Sequence, residues 1–260
     1  MTVDLAYREY GKGPPLVILH GLFGSAQNWH GMAERLATRF RVFACDLRNH
    51  GQSPWSPSMD FAEMADDLQT LIDAKGLAPA VVLGHSVGGK TAMLTALRHP
   101  DDIEALIVVD IAPVAYDAPF LGYIRAMQAA DLSAGRRRSD IDAELAGAVP
   151  DRATRQFLLQ NLTERPGGGF AWRINLTALA RHMPTLMDFP DTSDLAYEGR
   201  ALFVSGAASD YIGRHTHGAI YEHFPQAEFA VIADSGHDPH VEQPDALFER
   251  ITDFLDSSYA

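Results

Sequence analysis

Cysteine is nearly absent from this chain: Cys45 is the single example in 260 residues, so no internal disulfide can form. With 47% hydrophobic residues over that length, the core needs neither a disulfide nor a metal to staple it. A lone cysteine also fits a reducing compartment. A secretory leader is not expected either, because polar, strand-like sequence follows Met1 at once, from Thr2 to Tyr10. No apolar run approaches the length of a transmembrane helix. Together these absences make a cytoplasmic location, away from membranes, the expectation. Positive charge is scarce: 21 Lys and Arg stand against 34 Asp and Glu, a formal net charge of -13. Phosphates would be repelled, so nucleic acid and anionic membranes are not expected partners. Internal repeats and low-complexity tracts are also lacking, which excludes solenoids and disordered arrays.

What the chain does have is alternation. Strand-like apolar runs lie at Val3–Tyr10, Leu16–His20, Arg41–Cys45, Ala80–Leu83, Ala105–Asp110, Ala201–Ser205 and Phe229–Ala233, with helical patterns between them. Asp60–Lys75 carries Phe61, Met64, Leu68, Leu71 and Ile72 at three- and four-residue spacings, with Gly76 as its stop. Asp245–Leu255 closes the chain in the same way. This rhythm predicts an α/β fold, a mostly parallel central sheet with helices on both faces. The rhythm breaks between Pro113 and Glu198, where short helical patterns (Leu121–Ala130, Asp140–Ala146, Arg152–Leu162, Ile174–His182) replace strands, save one possible strand at Gly169–Trp172. A structureless loop of that length is improbable in a compact domain. The expected organisation is a core of residues 1–112 and 199–260 interrupted by a helical lid at 113–198.

The chemistry centres on Gly84-His85-Ser86-Val87-Gly88, between a predicted buried strand and a predicted helix from Thr91 to His99. That is the context of a nucleophile elbow, where a sharp turn lifts a serine clear of the sheet and glycines relieve the crowding. A serine hydroxyl needs a base to take its proton. His237, after the last strand and before the terminal helix, satisfies the chain order Ser…acid…His. His240 is its local competitor, otherwise a solvated loop residue; His85 reads as packing. His215 and His217 lack partners at a metal-binding spacing, so no metal and no cofactor are expected. The carboxylate that orients the base has two candidates: Asp110, ending the strand beyond the elbow, and Asp210, following Ala201–Ser205. Acyl chemistry also requires two donors for the oxyanion. Val87 N–H should be one and Leu22 N–H, in His20-Gly21-Leu22-Phe23-Gly24, the other, with Phe23 N–H as fallback.

Several charged residues read as structural. Lys90 would stand in the first turn of the helix beneath Ser86, unfavourable for a cation, so it should reach out to a carboxylate or carbonyl. Arg136-Arg137-Arg138 reads as a solvated face. Asp46, Arg48 and Ser53 should order the loop beside the site. Phe120, Tyr123, Met127, Phe157, Trp172 and Met183 read as core.

These motifs, with Arg48-Asn49-His50-Gly51-Gln52-Ser53, Lys90 closing the elbow and Asp110-Ile111-Ala112-Pro113, resemble the α/β-hydrolase superfamily, and within it the small YbfF-like bacterial esterases. The resemblance covers nearly the whole chain. It implies a cofactor-free serine esterase acting on acyl esters or thioesters, with Ser86 and His237 as nucleophile and base; the expected partner is a small-molecule acyl ester, and the expected state a monomer or weak homo-oligomer. It also points to Asp110 as the acid, although Asp210 after Ser209 departs from that group's pattern.

Overall fold

The computed structural model describes residues 1–117 and 119–257. In chain order its elements are β1 (Tyr7–Tyr10), β2 (Pro15–Leu19), α1 (His30–Leu36), β3 (Arg41–Cys45), α2 (Phe61–Lys75), β4 (Ala80–His85), α3 (Val87–Arg98) and β5 (Ile103–Val109). There follow α4 (Phe120–Ala129), α5 (Arg138–Leu145), α6 (Arg152–Leu159), β6 (Leu162–Glu164), β7 (Phe170–Trp172) and α7 (Leu176–Met187). The chain closes with β8 (Arg200–Gly206), α8 (Arg214–His223), β9 (Ala227–Ile232), α9 (Pro239–Glu242) and α10 (Pro244–Asp256). The main sheet has the order β1-β3-β2-β4-β5-β8-β9. Every pairing in it is parallel except β1 with β3.

Alternating side chains explain why this sheet is covered on both sides. Leu16, Ile18, Val81, Leu83, Ala105, Ile107, Leu202 and Val204 face Met32, Leu36, Leu247 and Ile251 of α1 and α10. Their neighbours Val17, Leu19, Val82, Leu106, Val108 and Phe203 face the opposite way, against Leu68 and Ile72 of α2 and Met93 and Leu97 of α3. The insertion between β5 and β8 adds no core of its own: Ile124, Met127, Ile141, Leu145, Leu158 and Leu179 join that second cluster. α2 starts where Asp60 accepts from Glu63 N–H at 2.8 Å and stops at Gly76 in the left-handed conformation.

Three expectations shift in detail. Residues 3–6 do not join β1, because side chains take their amides: Val3 N–H donates to Asp67 and Ala6 N–H to Ser53, at 2.7 and 2.8 Å. The possible strand near Trp172 exists as β7, paired antiparallel with β6. α7 continues through Pro184 to Met187, and carbonyls at its end are satisfied from elsewhere. Lys90 Nζ donates to Met187 O, Asp188 O and Val114 O at 3.2, 2.7 and 2.8 Å. The lysine that is unfavourable at the start of α3 thus sits at the negative end of α7, and it bolts the insertion to the core.

Arg48 is fully buried and makes a two-pronged pair with Asp67, at 2.7 and 2.8 Å, and a further bond to Glu63 at 2.7 Å. Removing one partner of a buried pair strands the other charge, which costs about 3–5 kcal/mol. Arg48→Met should therefore lower the unfolding free energy obtained from urea titration by an amount of that size; a loss below ~1 kcal/mol would show that the pair is not buried in solution.

Candidate active site

Ser86 lies between β4 and α3 with φ 50° and ψ -121°, a strained conformation for any residue with a side chain. Packing enforces the turn. A Cβ on Gly84 would meet Gly88 O at 2.2 Å, and one on Gly88 would meet His20 O at 2.5 Å. Only hydrogen fits at either position. Ser86 N–H donates to Val109 O at 3.1 Å, which ties the turn to β5.

Three segments converge on this serine. Its Oγ lies 3.1 Å from His237 Nε2, and His237 Nδ1 lies 2.8 Å from Asp110 Oδ2. A carboxylate only accepts, so Nδ1 carries the proton and Nε2 is left free to accept from the hydroxyl. Asp110 is fully buried at the end of β5. Its Oδ1 accepts from Gly206 N–H at 3.2 Å and its Oδ2 from Ser209 Oγ. Tyr211 stacks on the His237 ring, centroid to centroid 4.2 Å. Asp210 is exposed, and the carboxylate at His237 Nδ1 is that of Asp110.

The amides beside Ser86 are sorted by partner. Phe23 N–H donates to His50 Nε2 at 3.2 Å, whereas Leu22 N–H has no hydrogen-bond partner among the described residues. Val87 opens α3, where an amide lacks an intrahelical acceptor.

A model described as the alpha/beta hydrolase fold matches residues 14–244. The chain belongs to the α/β-hydrolase family. Among relatives of this α/β hydrolase, the mouse sn-1-specific diacylglycerol lipase ABHD11 is 42% identical over 93% of this chain and 81% of its own. The Escherichia coli esterase YbfF is 34% identical over 93% of this chain and 92% of its own. A solved marine microorganism esterase superposes with TM-score 0.94 at 36% identity, covering 97% and 99% of the two chains.

In this α/β hydrolase the motifs gave no role to His20 and His50, and the structure supplies one. His20 Nδ1 donates to Gly21 O at 2.7 Å while Nε2 accepts from Leu47 N–H at 3.0 Å. His50 Nδ1 donates to Arg48 O at 3.0 Å while Nε2 accepts from Phe23 N–H. Two neutral imidazoles thus brace the loop holding Leu22. The Nδ1 partners are local but the Nε2 partners lie 27 residues away in each case, so local sequence carried no signal beyond the glycine beside each. His85 does more than pack: its Nε2 donates to His237 O at 2.8 Å and so holds that loop. His240 is not a solvated residue, since its ring stacks on Trp29 at 4.3 Å. His85, Asp238 and His240 have ligand atoms within 4.8 Å of one another, but His85 Nε2 is committed to the His237 carbonyl. Among the described residues no helix is long and apolar enough to cross a membrane.

Burial lowers the proton affinity of these rings, His20 to about 4, His50 to about 3 and His85 to about 4. The unfolded chain binds those protons near 6.5, so it takes up more protons than the folded one on acidification below that pH. Stability should be level above about pH 6.5 and fall steadily toward about pH 4. Thermal midpoints measured across that window check this, and His50→Gln should shallow the fall. A midpoint that stays constant down to about pH 4.5 would mean the rings are open to water.

Proposed function

We propose that this protein is a serine esterase that hydrolyses small carboxylic (acyl) esters through an acyl-enzyme. Ser86 is the nucleophile, His237 the general base and then acid, and Asp110 the group that orients His237. Leu22 N–H and Val87 N–H form the oxyanion hole, and the helical insertion is the lid. The observation that carries this reading is the hydrogen-bonded chain from Ser86 Oγ through His237 to Asp110, at 3.1 and 2.8 Å. Relatives named as lipase and esterase support the class of bond.

His237 Nε2 takes the hydroxyl proton as Oγ attacks the acyl carbon. The carbonyl oxygen becomes an anion between the two amides, each such donor contributing about 2.7–4 kcal/mol of transition-state stabilisation. The imidazolium returns its proton to the leaving alcohol, the C–O bond breaks, and the acyl group remains on Ser86. Water then attacks that acyl carbon while His237 takes its proton. Collapse returns the proton to Oγ and releases the acid. Asp110 stays ionised throughout and offsets the imidazolium charge.

A fluorophosphonate probe tests the first step directly. Intact mass should rise by one adduct per chain, and the modified peptide should map to Ser86. A p-nitrophenyl ester series of increasing acyl length should show multiple turnover with a defined optimum. Labelling elsewhere, or no adduct alongside active ester cleavage, would overturn the assignment of Ser86.

A further inference from the structure

The arginine run at 136–138 is solvated as expected, with Arg137 and Arg138 exposed, but its members differ in what they pair with. Arg136 pairs with Glu144 and Asp131, and Arg137 pairs with Asp140. Arg138 opens α5 and turns to a cavity of about 380 Å³ between the oxyanion loop and the insertion. Arg173 lines the same cavity, with Phe23, Ser25, Asn28 and Asn161 among the other walls. Among the described residues no Asp or Glu lines it, and the bonds the two arginines make go to carbonyls rather than carboxylates. In a chain with 34 acidic residues, two guanidinium groups lining one carboxylate-free hollow give it a local positive charge.

Each is tethered to main chain by one hydrogen bond. Arg138 donates one N–H to Leu159 O, and Arg173 donates one to Gln160 O at 3.2 Å. Arg173 Nε is shielded from solvent and has no partner among the described residues, an arrangement that costs free energy unless something accepts from it. Guanidinium forks suit planar or tetrahedral oxyanions, which accept two N–H bonds at once. The cavity also abuts the proposed reaction site, because Phe23 follows Leu22 and its carbonyl accepts from Asn161 Nδ2 at 2.8 Å.

We propose that this cavity, built on Arg138 and Arg173, binds a small anionic oxygen group, a carboxylate or a phosphate. The group arrives either tethered to the ester substrate or as a free anion, and two measurements separate these sources. The first is calorimetric titration of the full chain with inorganic phosphate, which needs no turnover. The second is the ratio of kcat/KM for a p-nitrophenyl hemisuccinate ester over its neutral p-nitrophenyl butanoate counterpart. The ester arm rests on the esterase reading and the phosphate arm does not, so failure of that reading leaves the titration standing.

In the double variant Arg138→Gln/Arg173→Gln, phosphate affinity should fall about tenfold or more, and the ester ratio should fall by a similar factor. Loss of phosphate binding with an unchanged ratio assigns a free anion; a fallen ratio without phosphate binding assigns a tethered one. The variant Arg138→Lys/Arg173→Lys keeps the charge and should retain part of either signal, which distinguishes lost recognition from misfolding. Identical phosphate behaviour and identical ester ratios in wild type and the Gln variant would overturn the proposal.

Discussion

Ser86→Ala is expected to lower kcat for p-nitrophenyl esters by on the order of a millionfold, the usual consequence of deleting a triad serine. The substitution removes one oxygen and leaves the backbone at φ 50°, where alanine is strained no more than serine. His237 keeps its bond to Asp110 and the carbonyl grip of His85. The thermal midpoint should therefore move little, and neutral ester analogues should still bind. Residual turnover above water comes from the oxyanion donors alone, which remain because Leu22 and Val87 contribute main chain. Stopped-flow assays at high enzyme concentration measure that residue. Turnover above about one per cent of wild type, after exclusion of contaminating activity, would remove Ser86 from the chemistry.

Much of the architecture is legible because each layer repeats a local rule. Successive residues along β2, β4, β5 and β8 lie in opposite clusters, so each strand is buried on both faces and shows in the sequence as a short continuous apolar run between turn signals. The elbow is legible because its glycines are demanded within five residues of the serine. What sequence left undivided was the choice between Asp110 and Asp210. Both follow strands that run parallel and end at the same edge of the sheet. The structure separates them: Asp110 N–H is held by Val204 O and its side chain lies at His237, while Asp210 sits beyond β8 in an exposed turn. The roles of His20 and His50 and the place of Arg138 on a cavity wall were illegible for a related reason. Each acquires its part from segments brought near only by folding, and neighbours in sequence (Arg136 and Arg137 beside Arg138) share composition without sharing surroundings.

Asp110→Asn should cost on the order of ten-thousandfold in kcat, with Asp210→Asn within about twofold of wild type. The reason lies in the two donors that already serve Asp110. Gly206 N–H is fixed main chain and must face an acceptor, so the asparagine oxygen is held on the Oδ1 side. That leaves the amide NH2 toward His237 Nδ1, 2.8 Å away in the parent, and two N–H donors cannot face each other. His237 then carries its proton on Nε2, pointing it at Ser86 Oγ, and can no longer accept from the hydroxyl. Flipping the amide restores the tautomer only by setting NH2 against Gly206 N–H, which the buried site penalises. Ser209 can rotate its hydroxyl to suit either arrangement and so does not rescue the variant. Paired steady-state kinetics on the two variants check this. Equal losses, or a larger loss in Asp210→Asn, would mean that the base is oriented by a different carboxylate during turnover.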